Sequence, residues 1–217
     1  MERIADGFIW PVRDPEWLTK VAINALILLV PIAGAINGLG WMLATLDRLR
    51  AGDQTMAPAN FGYLGRGVRL FVVQLVYGVA VAAIACLVYL PGLLIAISQG
   101  RGEGNAGLIA LAILLNLLAF GVATVGGLLL TFATPAIVLE TDAGGIAGGL
   151  RPARVWRRMR ASLNNTLIAG LMLIAASFIS SLGAVVCVVG VLFTAAFALA
   201  IQAWIFRSYE MGSKAST

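Results

Sequence analysis

ASLNNTLIAGLMLIAASFISSLGAVVCVVGVLFTAAFALAIQAWIF, residues 161–206, runs for 46 positions without an Asp, Glu, Lys or Arg. As one straight helix it would be about twice as long as the roughly 30 Å of hydrocarbon in a bilayer. A chain this apolar cannot project into water, so it must fold back on itself. The best place is Ser180-Ser181-Leu182-Gly183, with Gly190 closing a short outer turn. The stretch therefore reads as two spans, at about 163–181 and 184–206.

Three more stretches lack charge: Val21 to Leu46, Leu70 to Gly100, and Gly104 to Leu139. Each is long enough for one crossing at about 20 apolar residues per span. Composition agrees. The 217 residues are 60% hydrophobic and only 12% charged, with a mean hydropathy of +0.95. Soluble domains are about 45–50% apolar and about 25% charged. The expectation is an all-α polytopic transmembrane bundle, one domain over 1–217. Its five hydrophobic segments lie at about 21–46, 70–97, 106–139, 163–181 and 184–206.

The first segment differs from the rest. Pro31 and Gly34 sit in its middle, followed by Asn37, Gly38 and Gly40. Proline removes a backbone donor and clashes with the preceding turn. The segment either crosses as a kinked helix or dips in and returns as a re-entrant hairpin. Its apolar length favours a crossing.

The basic residues favour re-entry. Loops on the cytoplasmic side of a membrane carry excess Lys and Arg. Arg3, Arg13 and Lys20 precede segment one; Arg48, Arg50, Arg66 and Arg69 follow it. Arg101 stands alone in the next loop. Arg151, Arg154, Arg157, Arg158 and Arg160 fill the one after, and Arg207 and Lys214 lie in the tail. If segment one crosses, the split is eleven inside against four outside; if it re-enters, fourteen against one. Both readings place loops 47–69 and 140–162, and the C-terminus, in the cytoplasm, in a plasma or inner membrane. Ala33-Gly34-Ala35 resembles a cleavage site, but the acidic leader with Glu2, Asp6, Asp14 and Glu16 argues against a signal peptide.

Local signals refine the polar segments. Asp14-Pro15-Glu16-Trp17 reads as a helix start with Asp14 as the cap, and Trp10 and Trp17 suit the headgroup level. Asn60 can cap the helix that becomes segment two. Gly144, Gly145, Gly148 and Gly149 predict a flexible entry to the second basic loop. From Pro152, Val155, Trp156, Met159 and Leu163 fall on one helical face, opposite Arg151, Arg154, Arg157 and Arg158, with Arg160 at the edge. This predicts an amphipathic helix in the cytoplasmic interface. Its arginines are the candidate contact for anionic lipid headgroups or for a partner protein. The net charge of +5 is therefore read toward lipid, not nucleic acid.

Catalytic groupings are sparse. With no His, there is no His-based acid–base work, Ser-His-Asp triad, or His-ligated zinc or haem. Cys86 and Cys187 show no metal spacing; free buried thiols are expected, and a disulfide between them is the alternative. No catalytic residue, metal or cofactor is predicted. An enzyme would need a cytoplasmic cluster such as Asp47, Asp53, Tyr63 and Arg66. Small residues spaced by four, Gly34/Gly38, Ala176/Ser180 and Ala196/Ala200, suit close helix packing.

FIWPVRDPEW at 8–17, GWMLATLDRLRAGD at 40–53 and FGYLGRGVRLFVVQLVY at 61–77 together resemble domain of unknown function 4013. That is a family of uncharacterised prokaryotic multi-pass membrane proteins. The resemblance covers the first 100 residues well and the rest by hydropathy pattern. MAPANFGYLGRG at 56–67 departs from the acidic, Trp-containing linker typical of the family. The resemblance implies a helical membrane domain and supplies no site residues. The functional expectation is a structural or accessory subunit in contact with membrane lipids, other membrane proteins or copies of itself. A carrier or channel for a neutral or lipidic solute, lined by broken helices, is the alternative.

Overall fold

The 161–206 stretch folds back as its length requires. In the computed structural model, which describes residues 6–100, 104–183 and 188–214, it forms α7 (Leu163–Leu182) and α8 (Val188–Lys214). Ala176, Ala196 and Ala200 are fully buried, so small side chains let these helices close on one another. A Cβ on Gly183 would overlap the Gly190 carbonyl. The Thr194 hydroxyl donates to the Ser180 carbonyl at 2.8 Å. At the far end, the hydroxyls of Thr166 and Tyr209 are 3.3 Å apart, so the two helices run antiparallel.

Segment one is not a single helix. After α1 (Asp6–Ile9) and a 3-10 turn at Trp10–Arg13, α2 (Trp17–Leu28) has only 12 residues, about 18 Å. The chain then breaks at Pro31, and α3 (Ala33–Arg50) follows. At the break, Ala33 N–H donates to the Pro31 carbonyl at 2.6 Å, and Ile32 holds φ 62°, ψ −61°. This is a γ-turn in the left-handed region, where a β-branched residue is strained. Gly34 sits directly on the Ile27 carbonyl, a space that a side chain would fill.

The helices α2 and α3 run antiparallel. Leu28 lies beside Gly38, while the other ends of both helices meet the 56–63 loop. There Lys20 Nζ donates to the Met56 carbonyl at 3.2 Å, and Trp41 Nε1 donates to the Ala57 carbonyl at 2.8 Å. The Asn37 amide bridges the Asn60 carbonyl at 2.8 Å and the Tyr63 N–H at 3.1 Å. Among the described residues, four helices are long and apolar enough to cross a membrane: α4 (Leu64–Gln99) with the 3-10 turn before it, α5 (Ala106–Gly149), α7 and α8. The first segment, over 21–46 and expected either to cross as a kinked helix or to re-enter, is this broken hairpin, because Pro31 interrupts the backbone ladder before α2 reaches spanning length.

Other expectations shift. Asp14 does not simply cap α2. It is buried, and its carboxylate takes the Glu16 N–H locally and the Met56 N–H and Lys20 from a distance. Trp10 is buried rather than interfacial, and Trp17 packs edge-on to Phe193 and Phe197. The predicted flexible glycines continue α5 to Gly149, with one non-helical residue, Gly145 at φ 62°. Gly148 and Gly149 fold back so tightly on Glu140 and Thr141 that neither has room for a side chain.

Contacts divide the chain into two units, Met1–Val73 with Thr131–Thr217, and Gln74–Leu130. The first has a core of Trp41, Met42, Leu46, Leu70, Ile201, Ile205, Phe206 and Tyr209, all buried. The second pairs parts of α4 and α5, with Gly92 against Ala112 and Leu115, and Gly126 against Val81. Asn105 starts α5 by accepting the Gly107 N–H at 2.8 Å. Cys86 is exposed, and Cys187 lies outside the described residues.

Candidate functional site

Four helices of the first unit each bring charge to one place. Asp47 and Arg50 come from the last turn of α3, Arg66 from the start of α4, Asp142 from α5, and Arg207 and Glu210 from α8. Arg50 is the hub. It donates to Asp142 at 2.6 Å, Glu210 at 2.8 Å and Asp47 at 3.1 Å. Arg66 donates to Asp47 and, at 2.7 Å, to the other oxygen of Asp142. Arg207 reaches Glu210 at 3.5 Å. Three carboxylates thus balance three guanidiniums. Burial works against the Arg50 charge, yet hydrogen bonds to Asp142 and Glu210 hold its proton more tightly than usual.

A second polar tie closes the α2–α3 hairpin. Lys20 Nζ donates to Asp14 Oδ2 at 2.8 Å, and Met56 N–H donates to the same oxygen at 2.8 Å. Burial pushes the Asp14 pKa up, but Lys20 and the Glu16 and Met56 amides outweigh it and leave it below the ordinary carboxylate value. Nearby, Asp53 accepts from Arg48 at 2.9 Å and from the Thr55 hydroxyl at 2.8 Å, which holds its pKa at about 2.

The arginines of the second basic loop separate into two sets. Arg151 precedes α6 (Pro152–Ala161) and the other four lie on it; α6 buries Val155. Arg158 pairs with Glu140 at 2.7 Å, and Tyr209 donates to its carbonyl at 3.4 Å, so this part of α6 is fixed to the body. Arg160 lies 4.5 Å over the ring of Trp156, which is 51% exposed. Arg151, Arg154 and Arg157 are exposed and have no ion-pair partner among the described residues.

The enzyme-like cluster does not assemble. Asp47 and Arg66 meet, but Asp53 turns to Arg48, and the Tyr63 hydroxyl donates to the Pro58 carbonyl at 2.9 Å. Among the described residues, no three His, Cys, Asp or Glu side chains gather as metal ligands. Two cavities in the first unit border these charged groups. One of about 600 Å³ is lined by Asp14, Glu16, Lys20, Arg48 and Thr55 among others. One of about 340 Å³ is lined by Leu43, Gly65, Arg66, Arg69, Thr141 and Asp142.

Sequence reasoning overlooks Glu140, Asp142 and Glu210. The signal is present: with Asp47, these acids stand within about a turn of the end of a charge-free stretch. A carboxylate there needs a cation from a neighbouring helix.

A family model, protein of unknown function (DUF4013), matches residues 23–206. The chain belongs to that family. The DUF4013 match begins inside α2 and runs into α8, so it takes in both hairpins and α6 and extends the likeness well past residue 100. It omits residues 8–17. Family and fold together fit an integral membrane protein of unknown function. No curated protein and no solved structure matches the chain.

Proposed function

We propose that the chain is an accessory subunit of the plasma or inner membrane, without a catalytic step of its own. Its cytoplasmic face docks on anionic lipid headgroups through α6. The carrying observation is the division of α6 arginines. Arg158 is spent on Glu140, whereas Arg151, Arg154 and Arg157 are exposed beside an exposed Trp156. An amphipathic helix with basic and aromatic residues of this kind suits a headgroup layer.

The α2–α3 hairpin supports the re-entrant topology. Asp14 and Lys20, before the segment, bond Met56, after it. Both then belong on the arginine-rich cytoplasmic side, together with the C-terminus. Large exposed side chains on Gln74–Leu130, such as Leu87, Leu114 and Phe120, suit lipid or another membrane protein.

Exchanging Arg151, Arg154 and Arg157 together for Gln should weaken binding to anionic vesicles about 100-fold, at about 1 kcal/mol per arginine. Binding should be unchanged on zwitterionic vesicles. Equal affinity of the variant and the parent protein for anionic vesicles would end this reading. The carrier reading draws on Asn24, whose buried side-chain amide has no hydrogen-bond partner among the described residues.

A further inference from the structure

The 340 Å³ cavity beside α4 has a charge left over. The six-residue network around Arg50 is neutral in itself, with Asp47, Asp142 and Glu210 set against Arg50, Arg66 and Arg207. Arg69 lines the same cavity as Arg66 and Asp142, is exposed, and has no partner among the described residues. Asp142 does not neutralise it, because one of its oxygens takes Arg50 and the other Arg66. Arg66 in turn commits only two nitrogens to carboxylates, and a guanidinium has five N–H donors. The cavity therefore offers one uncompensated positive charge and spare donors from a second arginine.

Its position adds to this. The charge-free stretch of α4 starts at Leu70, the residue after Arg69, so the cavity lies where apolar helix meets charge. Leu43 supplies an apolar wall, and Val68 is exposed on the same turn of α4. At Gly65, a Cβ would meet nothing within 4 Å, so the glycine leaves open space on the cavity side. The volume is at the low end for a ligand pocket, which suits a headgroup rather than a whole lipid.

We infer that Arg69 and Arg66 bind the singly charged phosphodiester of an anionic membrane phospholipid in this cavity. One excess positive charge meets one phosphodiester charge. The charge of Asp142 is already balanced by Arg50 and Arg66, which leaves no net negative charge in the cavity to hold a choline or ethanolamine cation, so a neutral glycerol-type headgroup is preferred. The site rests on the membrane reading and is independent of α6.

The test is a titration of the purified full chain in detergent with phosphatidylglycerol or phosphatidylcholine, with bound copies counted by native mass spectrometry. The parent protein should bind one phosphatidylglycerol at least tenfold more tightly than phosphatidylcholine. Arg69→Gln should weaken that copy about tenfold, the scale of one charged hydrogen bond. Gly65→Leu should abolish it by filling the cavity while thermal stability is kept, since a Cβ there meets nothing within 4 Å and leucine favours helix. The triple Gln variant of Arg151, Arg154 and Arg157 should retain the copy, which separates this site from docking by α6. Unaltered phosphatidylglycerol binding in both Arg69→Gln and Gly65→Leu would overturn the site. Equal binding of phosphatidylcholine would overturn the charge argument. Displacement by millimolar inorganic phosphate would make the ligand a soluble anion and overturn the lipid assignment.

Discussion

The two units solve the same problem, an apolar chain with few polar groups, in opposite ways. The first buries Trp41, Phe206 and Tyr209 and ties its charges together through Arg50 and Asp14. The second leaves large side chains outward: Leu87 is 73% exposed and Phe120 71%. Its described part contains no Asp, Glu, Lys or Arg. In water that surface would be a liability; against lipid it costs nothing. The difference teaches that specific structure in this chain is concentrated where helix ends meet charge, while the paired helices of Gln74–Leu130 rely on backbone hydrogen bonds and glycine contacts.

Acid should break the comparison most. Asp14 and Asp53 have folded pKa values below their ordinary ones, Asp53 at about 2. A depressed carboxylate stabilises the fold above the unfolded value, about 4, and that stability is lost as pH falls toward the folded value. Hydrogen exchange should therefore show the first unit losing protection between about pH 4 and pH 2. Protection within 74–100 and 104–130 should persist. Simultaneous loss in both units would show that they are one cooperative body.

A smaller effect follows from Asp14→Ala, which strands the Met56 N–H and leaves Lys20 only the Met56 carbonyl and the more exposed Glu16. Unfolding in detergent should become easier by about 2–4 kcal/mol, the scale of one unsatisfied buried donor and one lost charged hydrogen bond. An unaltered midpoint would mean that the α2–α3 hairpin does not depend on this tie.

Glycine substitutions give the smallest and sharpest contrast. A Cβ on Gly170 would strike the Phe132 ring, so Gly170→Ala should cost about 1–3 kcal/mol. Gly121 in the second unit has nothing within 4 Å, so Gly121→Ala should gain up to about 1 kcal/mol from helix propensity. Thermal unfolding of the two variants in one detergent checks the sign of each change.

Much of this was legible in the residues. Length alone turned 161–206 into two helices, because hydrocarbon thickness is a hard limit. Small residues at Ala176, Ala196 and Ala200 marked where those helices close. Segment one was harder. Its composition allowed a crossing or a return, and its hairpin form is held by bonds from Lys20, Asn37 and Trp41 to the 56–63 loop, which no local pattern encodes. Trp10 looked interfacial because the headgroup preference of tryptophan says nothing about a core waiting to receive it. The ion-pair network was hidden for a similar reason. Arg50 and Glu210 are 160 positions apart, and only the fold makes them neighbours.

That separation also has a consequence in time. The hairpin of α2 and α3 leaves the ribosome well before α8. Yet α8 supplies a wall for both: Leu199 lies against Gly38, and Phe193 and Phe197 lie against Trp17. The hairpin cannot take its final packing until α8 has been made. A ribosome stalled before Val188 would carry two short helices with one flank bare, a substrate for membrane quality control rather than a half-built protein.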